Sequence, residues 1–171
     1  MKKTKKALMF IAPKFDEKET IYPYYRLQEA GYEVDVAGTR EGEYKGKTDF
    51  TFEANITFKD AKEADYDALV IPGGYAPDKV RTDPDALRLV KAFRASQKPI
   101  AMICHAGWVA ASADVIKGVR LTSTKAIKDD LVNAGAQWED SEAVVDQGFV
   151  TSRSPADLPA FMKALLKELD K

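Results

Sequence analysis

The sequence of 171 residues contains one cysteine and one histidine, and that scarcity removes whole classes of chemistry. A lone cysteine cannot close an internal disulfide or supply a cysteine-based zinc site. No metal and no cofactor is expected. An excess of charge is missing too. Lysine and arginine number 26 against 27 aspartates and glutamates, so nothing electrostatic argues for nucleic acid or an anionic membrane as partner. No apolar run approaches the roughly 18 residues of a membrane helix. The opening "MKKTKKALMFIAPKFDEKE" is basic and then apolar, like an export signal. Its apolar part is short, charges follow at once, and a small-residue cleavage site is lacking. It reads as a short tail leading into a buried strand, and a cytoplasmic setting is expected. In that setting the "NIT" triplet at Asn55 is not read as a glycosylation site. Repeats, low-complexity tracts and linkers are also absent, so one domain over residues 1–171 is expected.

What is present is a regular alternation. The apolar runs "ALMFIA" (7–12), "YEVDVAG" (32–38), "ALVIPGG" (68–74) and "PIAMIC" (99–104) are short and bounded by Gly or Pro. Runs of that kind read as parallel strands buried on both faces. Between them lie helical patterns at 19–31, 83–99, 126–135 and 154–171. The first and third end in Gly, the second starts at an Asp cap, and Ser154 followed by Pro155 is expected to cap the last. Residues 41–60 and 142–153 alternate polar and apolar positions, which predicts hairpins or edge strands, the second turning at Gln147–Gly148. The fold class expected is an α/β, flavodoxin-like three-layer sandwich with a mostly parallel sheet.

In such a sheet, chemistry gathers at the carboxyl ends of the strands. Cys104 ends "PIAMIC", and "HAGWVAAS" continues at once as a helix. A strand, a tight turn and a helix form the elbow that exposes a nucleophile, and the helix N-terminus is expected to lower the thiol's pKa. His105 could serve as base or partner, and Ala106 and Gly107 would let the helix pack closely. The plainer reading is a buried structural cysteine. "IPGGYAPDKVR" ends another strand in Gly73 and Gly74. The Gly74 and His105 N–H groups could form an oxyanion hole, or the turn could be no more than a turn. Its spacing matches neither of the glycine loops that hold nucleotide phosphates. Asp16, Glu17 and Glu19 follow the first strand. Such acids usually complement a helix dipole, but a protonated one near Cys104 could hydrogen-bond a thiolate.

These residues together resemble the PfpI-type intracellular protease family of the class I glutamine amidotransferase-like superfamily, which includes the protein deglycases. The matching stretches are "ETIYPYYRLQEAGYEV", "YDALVIPGGYAPDKVR", "KPIAMICHAG", "TSTKAIKDDLVNAGAQW" and "VTSRSPADL". The resemblance implies Cys104 as nucleophile, His105 as its partner, and Asp78 as an acid supplied by a neighbouring subunit. It implies a homo-oligomer, dimer or hexamer. Glu19 falls on the position of the acid beside the cysteine, and Asp16 on another acidic position lining the pocket. Two departures stand out. "CHAGW" places Gly107 at a position usually held by proline, with Trp108 next, and Thr124 replaces an aromatic that lines the family's pocket.

The reading favoured by these residues is a cysteine-dependent stress-response enzyme. It would act on small dicarbonyls or their protein adducts, as a glyoxalase or deglycase. An intracellular cysteine peptidase with peptide or protein substrates, and a redox-sensing or chaperone-like stress protein, remain as alternatives. The strip "IYPYY" (21–25) suits either an interface or a core-facing helix side.

Overall fold

The computed structural model describes residues 3–171, and the buried runs become neighbours in one sheet. Strand β1 (Lys6–Phe10) leads through helix α1 (Glu17–Glu29) to β2 (Glu33–Gly38). A hairpin of β3 (Gly42–Lys45) and β4 (Thr51–Ala54) follows, then the edge strand β5 (Ile56–Thr57). Next come β6 (Ala68–Ile71), α2 (Ala76–Val80), α3 (Pro84–Ala95), β7 (Ile100–Ile103) and α4 (Gly107–Ser112). The short strands β8 (Arg120–Leu121) and β9 (Gln137–Trp138) flank α5 (Lys128–Asn133). The chain closes with β10 (Val144–Asp146), β11 (Phe149–Ser152) and α6 (Leu158–Leu169).

The seven-stranded sheet runs β10-β11-β7-β6-β1-β2-β5. Only the β10–β11 pair is antiparallel. That hairpin turns at Gln147 and Gly148, both with positive φ, as its residues predict. The architecture is therefore the mostly parallel flavodoxin-like α/β sandwich read from the sequence. Helices α1 and α6 pack together, while α2 and α3 pack with α4, and α4 with α5. Every residue of β6 and β7 is buried, because helices cover both faces and no position faces water.

Local chemistry sets the helix limits. The Asp83 carboxylate accepts from the N–H groups of Asp85 and Ala86 at 2.9 and 3.3 Å, which starts α3. Its buried face is Ala86, Leu89, Val90 and Phe93. Phe93→Ala should therefore lower unfolding stability by about 3–5 kcal/mol, read from a urea melt, because the vacated core space cannot fully collapse. The start of α6 departs from expectation. The Ser154 side chain caps nothing, a short 3-10 turn (Pro155–Asp157) intervenes, and Pro159 sits in the first turn of α6. The reason is Arg153. Its N–H and guanidinium donate to the Asp157 carboxylate at 2.9–3.1 Å, and this ionic clasp organises the entry to the helix.

The strip at 21–25 divides between two surroundings. Pro23 is buried, while Tyr22 and Tyr25 remain 40% and 58% exposed. Among the described residues no helix is long and apolar enough to cross a membrane.

Candidate active site

The order β2-β1-β6-β7 places a topological switch between β1 and β6, where ligands enter open α/β sheets. Both turns at that point contribute to one cluster around Cys104. The residue follows β7 directly and adopts φ +62°. For a side chain with a Cβ this left-handed conformation costs roughly 1–2 kcal/mol, so the surroundings must impose it. They do so closely. Ala106 is fully buried. A Cβ on Gly107 would stand 2.8 Å from the Leu131 side chain, so glycine lets α4 seat against α5. The Thr124 N–H donates to the Cys104 carbonyl at 3.1 Å. Thr124 thus holds the elbow through its backbone.

The His105 ring nitrogen Nδ1 lies 3.2 Å from Cys104 Sγ. The N–H groups of Gly74 and His105 both point at the sulfur. The Gly73–Gly74 turn comes this close because it has no side chains. A Cβ on Gly73 would lie 2.7 Å from that of Cys104 and would collide with Glu19 Oε1, and Gly74 has φ +77°. Backbone bonds stitch this turn to the one after β1. Asp16 N–H donates to the Gly73 carbonyl at 3.2 Å, and Tyr75 N–H to the Lys14 carbonyl at 2.9 Å.

Glu19 reaches the sulfur from α1 and is wholly buried. Its Oε1 accepts from the Gly73 N–H at 2.9 Å, and Oε2 has no other partner among the described residues. Burial, then repulsion from Asp16, pushes this carboxyl up to about 8, so it is protonated at neutral pH. Asp16 caps α1 by accepting from the Glu19 N–H at 3.1 Å and pairs with Lys47 at 3.3 Å. Burial lowers the His105 imidazole pKa, and the Lys47 charge adds to that, leaving the ring a neutral base.

The thiol does not behave as the helix N-terminus suggested. Burial, then the charge of an ionised Glu19, pushes Cys104 up to about 12, against the pull of the Gly74 and His105 N–H groups. Helix α4 is only six residues long and begins three residues after the sulfur, so its dipole is a weak opponent. While Glu19 keeps its proton the repulsion is absent, and a carboxyl O–H beside the sulfur becomes a third donor to a thiolate.

The cluster thus brings together Cys104, His105, Gly73, Gly74, Glu19 and Asp16, with Thr124 behind the elbow. Asp78 is not brought in. It lies exposed on α2 and makes no hydrogen bond to His105 within the chain. Sequence reasoning missed Lys47, which reaches the site from the turn of the β3–β4 hairpin, with its ammonium 5.9 Å from the centre of the Tyr75 ring. The available signal was Gly46. A Cβ there would sit 2.8 Å from the Glu17 carboxyl carbon, so glycine marks where the hairpin docks on α1. Missed as well was the packing of Trp108 and Arg81 beside His105.

Known proteins resemble this chain along nearly its whole length. Residues 5–168 match the DJ-1/PfpI family. A deglycase from Pyrococcus abyssi is 43% identical over 164 residues, covering 96% of this chain and 99% of that protein. Protein/nucleic acid deglycase 2 of Escherichia coli is 38% identical over 171 residues, covering 97% and 98%. The crystal structure of Drosophila melanogaster DJ-1beta superposes with a TM-score of 0.91 at 29% identity, covering 98% of this chain and 91% of that one. A two-domain protein of Anabaena variabilis with DJ-1/ThiJ/PfpI-like and ferritin-like domains gives a TM-score of 0.95 at 39% identity. There the match covers 97% of this chain and 48% of the longer one.

Proposed function

The chain belongs to the DJ-1/PfpI family, and from that premise we propose that it is a Cys104-dependent enzyme that converts reactive dicarbonyls, and the early adducts they form on amines, into hydroxy acids. The observation that carries the reading is the thiol set 3.2 Å from a neutral imidazole and facing two backbone N–H groups. Relatives named deglycases support the coarser class of a hydrolase-type enzyme.

The steps follow from the groups present. Cys104 Sγ attacks the aldehyde carbon of methylglyoxal as His105 takes the thiol proton, and the C=O electron pair moves to oxygen. Return of that proton to the oxygen gives a hemithioacetal. His105 then removes the hydrogen on the sulfur-bearing carbon and delivers a proton to the neighbouring carbon, which leaves a thioester of lactate. Water cleaves the C–S bond, lactate departs and the thiol is restored, so methylglyoxal plus water becomes lactate. With an amine adduct the same attack displaces the amine. Gly74 and His105 N–H groups are the donors for the oxygen charge at each addition. Protonated Glu19 steadies the sulfur. Asp78, exposed on α2, would complete the set from a neighbouring copy in a homo-oligomer.

Incubation with methylglyoxal tests the reading. Lactate should accumulate as methylglyoxal disappears, and prior treatment with iodoacetamide, which alkylates the only thiol, should stop it. If methylglyoxal survives as in buffer alone, the proposal fails. Cleavage of casein under the same conditions would move the thiol to peptide bonds. Inertness in both assays, with ready oxidation of Cys104 by mild peroxide, would favour the sensor reading.

A further inference from the structure

The wall beside His105 is built from three helices around one aromatic ring. Among the described residues the imidazole has no carboxylate partner, and its Nδ1 is engaged with sulfur. The ring packed against it is Trp108, with centroids 5.3 Å apart and planes tilted by 58°. Trp108 is itself fixed twice over. Its Nε1–H donates to Asp130 Oδ2 on α5 at 2.7 Å. The Arg81 guanidinium, at the end of α2, lies 5.2 Å from the ring centre. Arg81 Nε in turn donates to Ser112 Oγ on α4 at 2.9 Å, and among the described residues Arg81 enters no ion pair.

The indole packs on the edge of the core, but that packing does not require its N–H. Helix α4 reads "GWVAAS", and Val109 and Ala110 are the residues that fill the core beneath it. Trp108 is only half-buried, yet both its face and its N–H are occupied, which restricts the ring to one rotamer.

We propose that Trp108 is the positioning residue for His105: Arg81 and Asp130 clamp the indole, and the indole holds the imidazole with Nδ1 on the sulfur and water off its outer face. The inference deepens the proposed function and rests on Cys104 and His105 being the working pair. A ring held by its face keeps its second nitrogen free of partners from its own helices, open to a substrate proton or to the acid of a neighbouring copy. The charged or titratable groups around the imidazole are Cys104, the Asp16–Lys47 pair, Glu19, and, beyond Trp108, Arg81 and Asp130.

Because His105 is the only histidine, its proton NMR signals report on the clamp directly. In the intact chain the imidazole resonances should be displaced by the indole ring current and titrate below the ordinary value of about 6.5. Trp108→Ala should remove the displacement and raise the midpoint toward that value. Methylglyoxal turnover should fall about tenfold in kcat with little change in KM, the signature of lost orientation. Trp108→Phe, which keeps a ring against the imidazole but has no N–H for Asp130, should restore the midpoint and kcat only in part. Should Trp108→Ala fail to fold, Asp130→Ala, which frees the indole N–H at the surface, must move the imidazole signals in the same direction. Unchanged imidazole signals and midpoint in the folded Trp108→Ala chain, or in Asp130→Ala where that is the chain used, would overturn the proposal. The NMR arm needs no substrate, so an intact chain that fails to consume methylglyoxal sinks the proposed function without touching this result.

Discussion

Cys104→Ala should abolish conversion of methylglyoxal to lactate, with a loss of at least about a thousandfold in kcat. No other thiol exists to take over, and Lys47, the other potential nucleophile at the site, is kept protonated. Burial opposes its charge, but the hydrogen bond and charge of Asp16 outweigh that and raise its pKa. The same position should show an opposite effect on stability. Cys104 holds φ +62°, a conformation that costs a residue with a Cβ roughly 1–2 kcal/mol and glycine almost nothing. Cys104→Gly should therefore be equally inactive and melt at or above the temperature of Cys104→Ala in a calorimetric scan. Activity retained in Cys104→Ala would remove the thiol from the mechanism. A Cys104→Gly chain that melts well below Cys104→Ala would show that the elbow is not strained.

Glu19→Gln should remove a pH dependence of stability that the parent displays. The Glu19 carboxyl titrates near 8 in the folded chain and near 4.3 when unfolded. Between those values the native state holds a proton that the unfolded chain has released. The stability that Glu19 contributes is therefore greatest below about pH 4.3, falls by up to about 1.4 kcal/mol per pH unit, and levels off above about pH 8. Glutamine keeps an acceptor for the Gly73 N–H and carries no titrating group. At pH 8 the variant should be the more stable chain by a few kcal/mol, and near pH 4.5 the two should converge. Other carboxyls, such as Asp35 and Asp157, are shifted downward and tilt both curves alike. The difference between the two chains isolates Glu19. A difference that stays flat from pH 4.5 to 8 would mean that Glu19 is already ionised in the native state.

How much of this could be read beforehand depended on whether the signal was local. The elbow was legible because a strand, a cysteine and a run of small residues are consecutive. The parallel sheet was legible from runs with no polar alternation. The cap on α6 was misread because Arg153 and Asp157 bind across an intervening turn, and propensity scores Ser154 without seeing that clasp. The position of Glu19 beside the sulfur followed from family resemblance; its burial and protonation required the coordinates. Lys47 and Arg81 lie far along the chain from Cys104; only Gly46 beside Lys47 hints at a docking point, and nothing in the neighbours of Arg81 marks it. The departure at Trp108 was visible as an oddity. Its contact with His105 appeared only once three helices were assembled around it.

The backbone bonds that join the turns after β1 and β6 carry a last consequence. Asp16 ends one of these turns and starts the helix that carries Glu19, and the N–H of Gly74 lies on the other. Asp16 N–H to the Gly73 carbonyl and Tyr75 N–H to the Lys14 carbonyl make the two a single rigid body. Such a site inherits its order from the cooperativity of the whole sheet, not from loops that settle when a guest arrives. Little conformational entropy remains to be lost on encounter, so even a molecule of three carbons, with few contacts to offer, meets groups already in their working places.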